Sequence, residues 1–313
     1  MKAEPSMIGS ALVVNADDLG VSKGATLGII QAHREGIVTS ASLATTYAAY
    51  GHALESLRTC PNLGIGLHFT LTSGKPVSDA KRVPLLIDEN GFFRWRFTSL
   101  LRAVSIQRKS SLLDQIEIEL DAQFARLLSD GIQPDHIDGE RHVHLIPGIF
   151  EKVVATARRR GVKFVRAGKD IGLKCMRNAD VPGLTLNGGF AKVGLLSILS
   201  RKDRPHIPSG VSYASYLASY LYSGRIDLMM KNFFALTPPR GVTEMMVHPG
   251  IPEKSQGLDV GNREVERYLK SEDRRRELNA CIEAKAWASK WQLTNFRKLA
   301  EHVTGNVAEM GYA

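Results

Sequence analysis

The chain has 313 residues, of which 43% are hydrophobic and 23% are charged. These values are typical of an ordinary soluble globular protein with enough length to bury a core. The formal net charge of +9 at pH 7 indicates attraction to anionic partners without identifying one. No run of about 18 consecutive apolar residues occurs, so the sequence predicts no membrane-spanning helix.

The cysteines and the amino terminus indicate the compartment. Cys60, Cys175 and Cys281 are widely spaced and odd in number, so they do not form a disulfide framework, and a reducing compartment fits them best. Residues 1–10 contain no apolar core segment, so no secretory signal is visible. We therefore expect a cytoplasmic protein.

The first predicted element is an apolar strand, from Ala11 to Val14, that runs into the adjacent carboxylates Asp17 and Asp18. Gly20 and a helical pattern follow, as in an α/β unit that presents polar groups at the carboxyl end of a strand. Two carboxylates that share a pocket repel each other unless a cation or a shared proton lies between them. The alternative is a solvated turn in which Asp18 caps the next helix.

The next elements alternate between helices and strands. A helix is predicted over Ser22–Arg34 and ends at Gly36, where helices commonly stop. A β-branched strand over Ile37–Leu43, a short helix over His52–Leu57 and a strand over Leu63–His68 come next. This alternation predicts a parallel sheet with right-handed crossovers.

The middle of the chain continues the pattern after a long loop. Ser73–Phe97 is rich in Gly, Pro and aromatic residues, and such loops usually cover a site in an α/β fold. An amphipathic helix over Ser110–Leu128 and a strand over Pro134–Asp138 are predicted next. Pro147–Arg160 is predicted as a helix because Pro suits the first turn, and Lys163–Arg166 as a strand.

The last part of the chain contains an irregular stretch and then a return to order. Residues 167–239 are predicted as a variable insertion of loops and two helices, which we interpret as a substrate lid. A strand over Thr243–Val247 and one helix over Arg263–Ala284 follow, and Trp291–Phe296 leads into a final helix. No interdomain linker is visible, so we expect one domain over residues 1–313.

Polar residues that suit a metal stand at four predicted strand ends: Asp17 and Asp18, His68, the segment Asp138–His144, and His248. In a parallel α/β barrel these ends converge on one face, so residues distant in sequence share a pocket. Carboxylates and imidazoles without a thiolate argue against a structural zinc site and favour a metal-assisted catalytic site. For His248 the alternative is that His-Pro-Gly is only a turn.

Five motifs in this order resemble the signatures of the YdjC-like carbohydrate deacetylases, a family with chitooligosaccharide and hopanoid-associated members. The motifs are Asn15–Gly20, Gly36–Ser40, Gly66–Thr72, His136–His144 and His248–Gly250. The resemblance implies a distorted TIM-like (β/α) barrel. It also implies that the protein is a hydrolase that removes an N-acetyl group from an amino sugar.

The resemblance also implies roles for individual residues. Asp17 would be the general base, and Asp18 and His68 would be metal ligands. His248 can supply the proton for the leaving amine, because an imidazole has a suitable pKa near neutrality. A divalent ion would polarise the acetyl carbonyl and acidify the attacking water.

The third metal ligand is left open, because this chain has Glu140 where the family usually has His. One alternative is that Glu140 binds the metal itself, which favours Mg²⁺, with Mn²⁺ and Zn²⁺ as the other candidates. In the other, His142 or His144 is the ligand and Glu140 supports it.

The expected substrate is an N-acetylated amino sugar on an anionic carrier, such as a lipid or a polyprenyl phosphate, at the inner face of the membrane. This expectation rests on the net charge and on basic residues that flank apolar and tyrosine-rich segments. The basic residues are Arg201, Lys202, Arg204 and Arg225, and the segments are Val193–Leu199 and Tyr213–Tyr222. Basic residues near an anionic surface suffice for peripheral contact without a spanning helix.

Other functions fit the same pattern. The alternatives are a deacetylase of soluble chito-oligosaccharides and a non-catalytic carbohydrate-binding protein of the same fold. A metallophosphoesterase would need more bridging carboxylates than these motifs supply. We expect no nucleic-acid partner, and a homodimer as the oligomeric state.

Overall fold

A parallel sheet forms the framework of the molecule. The computed structural model describes residues 9–106, 110–176, 189–218, 220–254 and 258–301. Within these ranges the sheet has nine strands. They are β1 (Ser10–Leu19), β2 (Ser40–Leu43), β3 (Gly64–Phe69), β4 (His136–Gly139), β5 (Phe164–Val165), β6 (Lys169–Asp170), β7 (Tyr216–Ala218), β8 (Gly241–Val247) and β9 (Gln292–Thr294).

The sheet curls until its edges approach each other. The strand order is β5-β4-β3-β2-β1-β8-β7-β6, and β9 also pairs with β1. Near the two edges, Phe164 of β5 forms a parallel bridge with Ser212, just before β7. The backbone N–H of Val165 donates to the carbonyl of Ser212 at 2.9 Å, and that of Ser212 donates to Lys163 at 2.7 Å. The predicted distorted TIM-like α/β barrel in a single domain is therefore confirmed.

Helices connect the strands and pack against them. In the described ranges they include α1 (Lys23–Glu35), α2 (Tyr50–Leu57), α3 (Phe97–Leu101), α4 (Ser110–Ser129), α5 (Ile149–Arg160), α6 (Gly189–Asp203), α7 (Asp227–Ala235), α8 (Arg263–Leu269) and α9 (Asp273–Glu283). Helix α1 packs on β1, α4 on β3, and α5 on β4 and β5. None of these helices is both long and apolar enough to cross a membrane.

Helix α1 illustrates how local sequence sets an element. The Ser22 hydroxyl accepts a hydrogen bond from the backbone N–H of Ala25 at 3.0 Å, which caps the first turn. At the other end, the N–H of Gly36 donates to the carbonyl of Ala32 at 3.1 Å. The observed limits lie within one residue of the predicted ones because both caps are visible in the sequence.

The predicted helix over Arg263–Ala284 is wrong, because the structure has two helices there. Helix α8 ends at Leu269 and α9 begins at Asp273. The Ser271 hydroxyl accepts from the backbone N–H of Asp273 at 3.1 Å, so it starts a new helix where the periodic pattern suggested continuation. The break brings Tyr268 and Arg274 within hydrogen-bond distance of each other.

The long loop after β3 is fastened to helix α4. The buried carboxylate of Glu119 accepts hydrogen bonds from the N–H groups of Val77 at 2.9 Å and Ser78 at 3.0 Å, and from the Ser78 hydroxyl at 2.5 Å. Gln123, one turn later, donates to the carbonyl of Thr70 at 2.7 Å. The loop is therefore held at a fixed place beside the barrel.

The three cysteines are buried free thiols. Cys60, Cys175 and Cys281 are at most 3% exposed. The prediction that they form no disulfide framework is therefore confirmed.

Candidate active site

One cavity of about 620 Å³ lies at the carboxyl ends of the strands. All six residues predicted for the site line it: Asp17, Asp18, His68, Glu140, His142 and His248. The insertion over residues 167–239 adds Ala191, Lys192, Leu195, Leu196 and Ser223 to its wall. The structure therefore brings the predicted residues together in one place.

A bulge at the end of β1 directs both aspartates into the cavity. The pairing register between β1 and β2 shifts between Ala16 and Leu19, and Asp18 has a left-handed backbone with φ of 72°. Side chains that would alternate along a regular strand can both face one side at a bulge. The sequence predicted a strand that stops before the aspartates, whereas the observed strand continues to Leu19.

Asp18 faces His68 and Tyr268. Its Oδ1 lies 3.5 Å from His68 Nε2, and its Oδ2 accepts a hydrogen bond from the Tyr268 hydroxyl at 3.0 Å. Burial by itself would raise the pKa of Asp18, but the hydrogen bond with His68 and the charges of His248 and Arg274 outweigh burial and lower this pKa to about 2. The carboxylate is therefore ionised at neutral pH.

His68 has the arrangement of a metal-binding histidine. Its Nδ1 donates to Asp138 Oδ1 at 2.7 Å, which leaves Nε2 directed toward Asp18. Metal-binding histidines usually donate their second nitrogen to a carboxylate in this way. Burial would lower the pKa of His68, but the Asp138 carboxylate outweighs burial and raises this pKa well above its usual value. The negative surroundings that favour a proton on His68 also favour a metal cation.

Arg166, which directly follows β5, is a site residue that the sequence did not reveal. Its Nη1 and Nη2 donate to the two carboxylate oxygens of Asp17, each at 2.7 Å. Its Nη2 also lies 2.6 Å from Asp138 Oδ2, and its Nε donates to Glu244 at 2.7 Å. The sequence predicted Arg166 as the end of a strand. It did not indicate a role in the site, because the carboxylates that Arg166 contacts are distant in sequence.

The segment after β4 is strained. Arg141 and His142 have left-handed backbones, with φ of 50° and 63°. Together with Asp18, they are the three non-glycine residues of the described ranges with positive φ, and all three line the cavity. Such backbone strain costs on the order of 1–3 kcal/mol per residue and concentrates at functional sites.

Glu140 is surrounded by hydroxyl groups. It accepts hydrogen bonds from Thr72 at 2.7 Å, from Tyr47 at 3.2 Å and from Ser73. Burial raises the pKa of the Tyr47 hydroxyl well above its usual value, and the Glu140 charge raises it further. Tyr47 therefore remains a donor, and both Glu140 oxygens are already engaged.

His142 has a buried nitrogen without a partner. Its Nδ1 finds no hydrogen-bond partner in the part of the chain that the structure describes, and its ring meets Tyr220 edge-on at 4.8 Å. Burial lowers the pKa of His142, and the charges of Lys192 and Arg166 lower it further. The neutral ring keeps a lone pair available. The Nδ1 of His144 also has no hydrogen-bond partner among the described residues, but its Nε2 donates to the Arg166 carbonyl at 3.0 Å and the residue does not line the cavity.

His248 is held by Glu277 from helix α9. Its backbone N–H donates to Glu277 Oε2 at 2.5 Å, and its Nδ1 lies 3.7 Å from the same oxygen. Burial would raise the pKa of Glu277, but Arg274 and His248 outweigh burial and lower it. The buried carboxylate of Glu277 therefore contacts His248, whose imidazole lines the cavity. A simple His-Pro-Gly turn would not require this contact.

Arg274 connects the two sides of the site. It donates from Nη1 to the His248 carbonyl at 2.7 Å and to the Tyr268 hydroxyl at 2.6 Å, and from Nη2 to the Gly224 carbonyl at 2.9 Å. Because Tyr268 in turn donates to Asp18, one hydrogen-bonded chain runs from Asp18 to His248. The sequence did not predict these contacts, since they depend on the break between α8 and α9.

The residues fit a divalent metal. Asp17, His68 and Asp138 are a buried group whose ligand atoms all lie within 4.8 Å of one another, although Arg166 already binds both oxygens of Asp17. His68 of this group also faces Asp18. Two ligands bonded to one ion at about 2.0–2.2 Å lie roughly 3–3.5 Å apart, and Asp18 Oδ1 and His68 Nε2 are separated by 3.5 Å.

Comparison with known proteins relates the chain to carbohydrate deacetylases. The carbohydrate deacetylase of Geobacillus stearothermophilus is 44% identical over 238 residues, which cover 74% of this chain and 91% of that protein. The carbohydrate deacetylase of Brevibacillus brevis is 44% identical over 146 residues, or 47% of this chain and 55% of that protein. The chitooligosaccharide deacetylase of Proteus mirabilis is 35% identical over 57% of this chain and 66% of that protein.

A solved structure shares the fold, and a family profile covers most of the chain. The crystal structure of an Enterococcus faecalis protein, proposed to cleave cellobiose phosphate, has a TM-score of 0.65 and 24% identity, and covers 93% of this chain and 99% of that chain. The profile of the family described as YdjC-like protein matches residues 11–289. The resemblance inferred from the five motifs is thereby confirmed, and the chain belongs to the YdjC-like family.

Proposed function

We propose that this protein is a metal-dependent hydrolase that removes the acetyl group from an N-acetylated amino sugar. The observation that carries the proposal is the pair Asp18 and His68, flanked in one cavity by Asp17 and His248. Three relatives that are named carbohydrate or chitooligosaccharide deacetylases support the substrate class.

Asp18, His68 and His142 are the proposed metal ligands. The unpartnered nitrogen of His142 favours this residue over Glu140, whose oxygens already accept three hydroxyl hydrogen bonds. Glu140 would then support the site from beside it. Two imidazoles and one carboxylate suit Zn²⁺ or Mn²⁺ better than Mg²⁺, our first expectation.

The protein groups have separate tasks in the proposed reaction. A divalent metal held by Asp18, His68 and His142 would supply Lewis acidity toward the acetyl carbonyl and the attacking water. Asp17 accepts the proton that this water loses, and its bonds to Arg166 hold it in place. His248, fixed by Glu277, donates a proton to the departing amine. Each such acid or base contributes on the order of 100- to 10,000-fold.

The cavity wall suggests what accompanies the sugar. Apolar side chains line it, namely Val21, Phe97, Leu195, Leu196 and Val265, together with the cation Lys192 and with Arg141, which is paired with Glu264 at 2.9 Å. Apolar and cationic groups suit an amino sugar on a lipid or polyprenyl-phosphate carrier better than a neutral chito-oligosaccharide. Because the insertion over residues 167–239 supplies part of this wall, we propose that it acts as a substrate lid.

An acetate-release screen tests the activity. The wild-type protein would be assayed with N-acetylglucosamine, N,N′-diacetylchitobiose and polyprenyl-phosphate-linked N-acetylglucosamine, with and without a chelator. We expect release that the chelator abolishes and added metal restores. Arg159→Ala, a change in a surface ion pair with Asp121, is the control and should match the wild type. Sugar binding without acetate release would instead indicate a carbohydrate-binding protein.

Cosedimentation with liposomes tests the carrier. Binding to anionic liposomes that weakens at higher salt, with no binding to neutral liposomes, is the expected result. Efficient turnover of N,N′-diacetylchitobiose without liposome binding would reject the lipid carrier and favour soluble oligosaccharides.

A further inference from the structure

We infer that Arg166 is a positioning residue that sets the place of the proposed base and of a proposed metal ligand through one guanidinium group. The inference rests on the proposed function and adds a residue outside the five sequence motifs. Arg166 is 3% exposed and is not among the cavity-lining residues. It therefore acts through its neighbours rather than on the substrate.

The contacts of Arg166 define a fixed geometry. Both Nη atoms bind the two oxygens of Asp17 at 2.7 Å, and Nε binds Glu244 at 2.7 Å on the opposite side of the group. Asp17 comes from β1 and Glu244 from the neighbouring strand β8, while Arg166 follows β5. The guanidinium group thus crosses the barrel interior and fixes the base from a strand that is not adjacent to β1.

A second path leads from Arg166 to the metal ligand. Its Nη2 lies 2.6 Å from Asp138 Oδ2, and the other oxygen of Asp138 accepts from His68 Nδ1 at 2.7 Å. Asp138 therefore orients the His68 ring, and Arg166 holds Asp138. A displacement of Arg166 would move the base and the metal ligand together.

Only an arginine can make these contacts. Three carboxylates, Asp17, Asp138 and Glu244, bind three nitrogens of one planar group, a geometry that the single ammonium of lysine cannot reproduce. Three negative charges around one positive charge also leave the interior negative beside His68. This excess favours a cation at the neighbouring Asp18 and His68 pair.

The first experiment compares Arg166→Ala and Arg166→Lys with the surface control Arg159→Ala. For acetate release from the best substrate of the screen, we expect kcat to fall about 100-fold in both Arg166 variants while KM stays nearly constant, because misplaced catalytic groups affect turnover more than binding. Mn²⁺ binding, measured by calorimetry without substrate, should weaken about 10- to 100-fold. Arg159→Ala should keep wild-type values.

Chemical rescue distinguishes positioning from a general structural role. Guanidinium ion, at concentrations that leave the control unaffected, should raise the kcat of Arg166→Ala at least about 10-fold. Methylammonium should not, because it lacks the planar group with several N–H donors. Wild-type kcat in Arg166→Lys, or a folded Arg166→Ala that guanidinium does not rescue, would overturn the inference.

Two further results keep the inference separate from the proposed function. If the wild type releases no acetate from any substrate of the screen, the proposed function fails, and unchanged Mn²⁺ affinity in the Arg166 variants would overturn the positioning role as well.

If Arg166→Ala does not fold, Glu244→Gln is the second variant, because it removes only the charge that Nε of Arg166 contacts. A kcat at least about 5-fold lower with unchanged KM would support positioning, and an unchanged kcat would overturn it.

Discussion

Asp17 and Asp18 are neighbours in sequence but lie in different electrostatic surroundings. Asp17 is 3% exposed and is bound by Arg166 through both oxygens. The side chain of Asp18 is 16% exposed and faces the imidazole of His68. One carboxylate is fixed by a permanent cation, and the other is directed toward a position that a metal can take. This difference is the physical basis for giving them different roles.

The first prediction is that the base and the metal site are separable. Asp17→Asn should lower kcat at least about 100-fold and leave metal bound, because Asn keeps the shape but accepts no proton. Asp18→Asn and His68→Ala should lose metal as well. Metal content and acetate release are measured on the same purified variants, which distinguishes a loss of turnover alone from a loss of metal. Equal metal loss in Asp17→Asn would mean that the roles are reversed or shared.

The second prediction concerns the third ligand. His142→Ala should weaken Mn²⁺ binding about 10- to 100-fold or more, because it removes the nitrogen that has no protein partner. Glu140→Gln should keep Mn²⁺ affinity nearly unchanged, since its hydroxyl partners remain. Calorimetry on both variants provides the measurement, and the reverse ranking would return the ligand role to Glu140.

At the scale of elements, the site depends on how loops and helices are fastened to the barrel. Helix α4 holds the loop after β3 through Glu119. This loop leads into α3, whose Phe97 and Thr98 line the cavity. Helix α9 holds His248 through Glu277. Both carboxylates are 0% exposed, so each is a buried connection between an outer helix and the site.

The third prediction tests the connection through α4. Glu119→Gln should lower the free energy of unfolding by about 1–3 kcal/mol, because an amide has one acceptor oxygen and leaves buried donors unpaired. Glu117, also on α4, forms a partly exposed ion pair with Lys152 of α5, and Glu117→Gln should change this free energy by less than about 1 kcal/mol. Denaturant unfolding of both variants gives the comparison. Equal effects would show that the Glu119 contacts are dispensable.

At the scale of the whole molecule, stability should depend on Asp203, a buried acid that does not line the cavity. Asp203, at the end of α6, is 2% exposed, and one of its oxygens has no hydrogen-bond partner within the described ranges. Burial raises the pKa of Asp203 to about 8, and the charge of Glu151 adds to the effect. The folded protein therefore keeps a proton that the unfolded chain releases above about pH 4.

The fourth prediction follows from the sign of this shift. Between about pH 4 and pH 8 the folded state binds more protons at Asp203 than the unfolded state, so this residue makes stability fall as pH rises. Asp203→Asn removes that contribution. Its Tm should exceed that of the wild type by several degrees at pH 8 and by little at pH 5. Glu272→Gln, at a side chain that is 67% exposed, should show no such difference. A Tm gain of equal size at both pH values would contradict the prediction.

The sequence predicted what local patterns determine. Caps such as Ser22 and Gly36, strand-forming runs, and polar residues at strand ends led to a parallel α/β sheet and to the six predicted site residues that line the cavity, and the family resemblance added the barrel. Partners that meet only through the fold were missed. Arg166 and Asp17 are 149 positions apart, and the bond between Glu277 and His248 depends on where α9 begins. The bulge at Asp18 was also missed, since the strand was predicted to stop before the aspartates.

The central position of β1 has a consequence for how the protein is made. Of the described strands β1 comes first in the chain, yet Ser10–Ala16 pair with Gly241–Val247 of β8, and Ala11–Val13 also pair with Gln292–Thr294 of β9. During synthesis one edge of the β1–β2 ribbon therefore stays open until residues 241–247 of β8 have been translated. An open, apolar strand edge is prone to aggregation. The nascent chain should accordingly need protection by chaperones over this interval, and it cannot hold a complete active site before His248 has emerged.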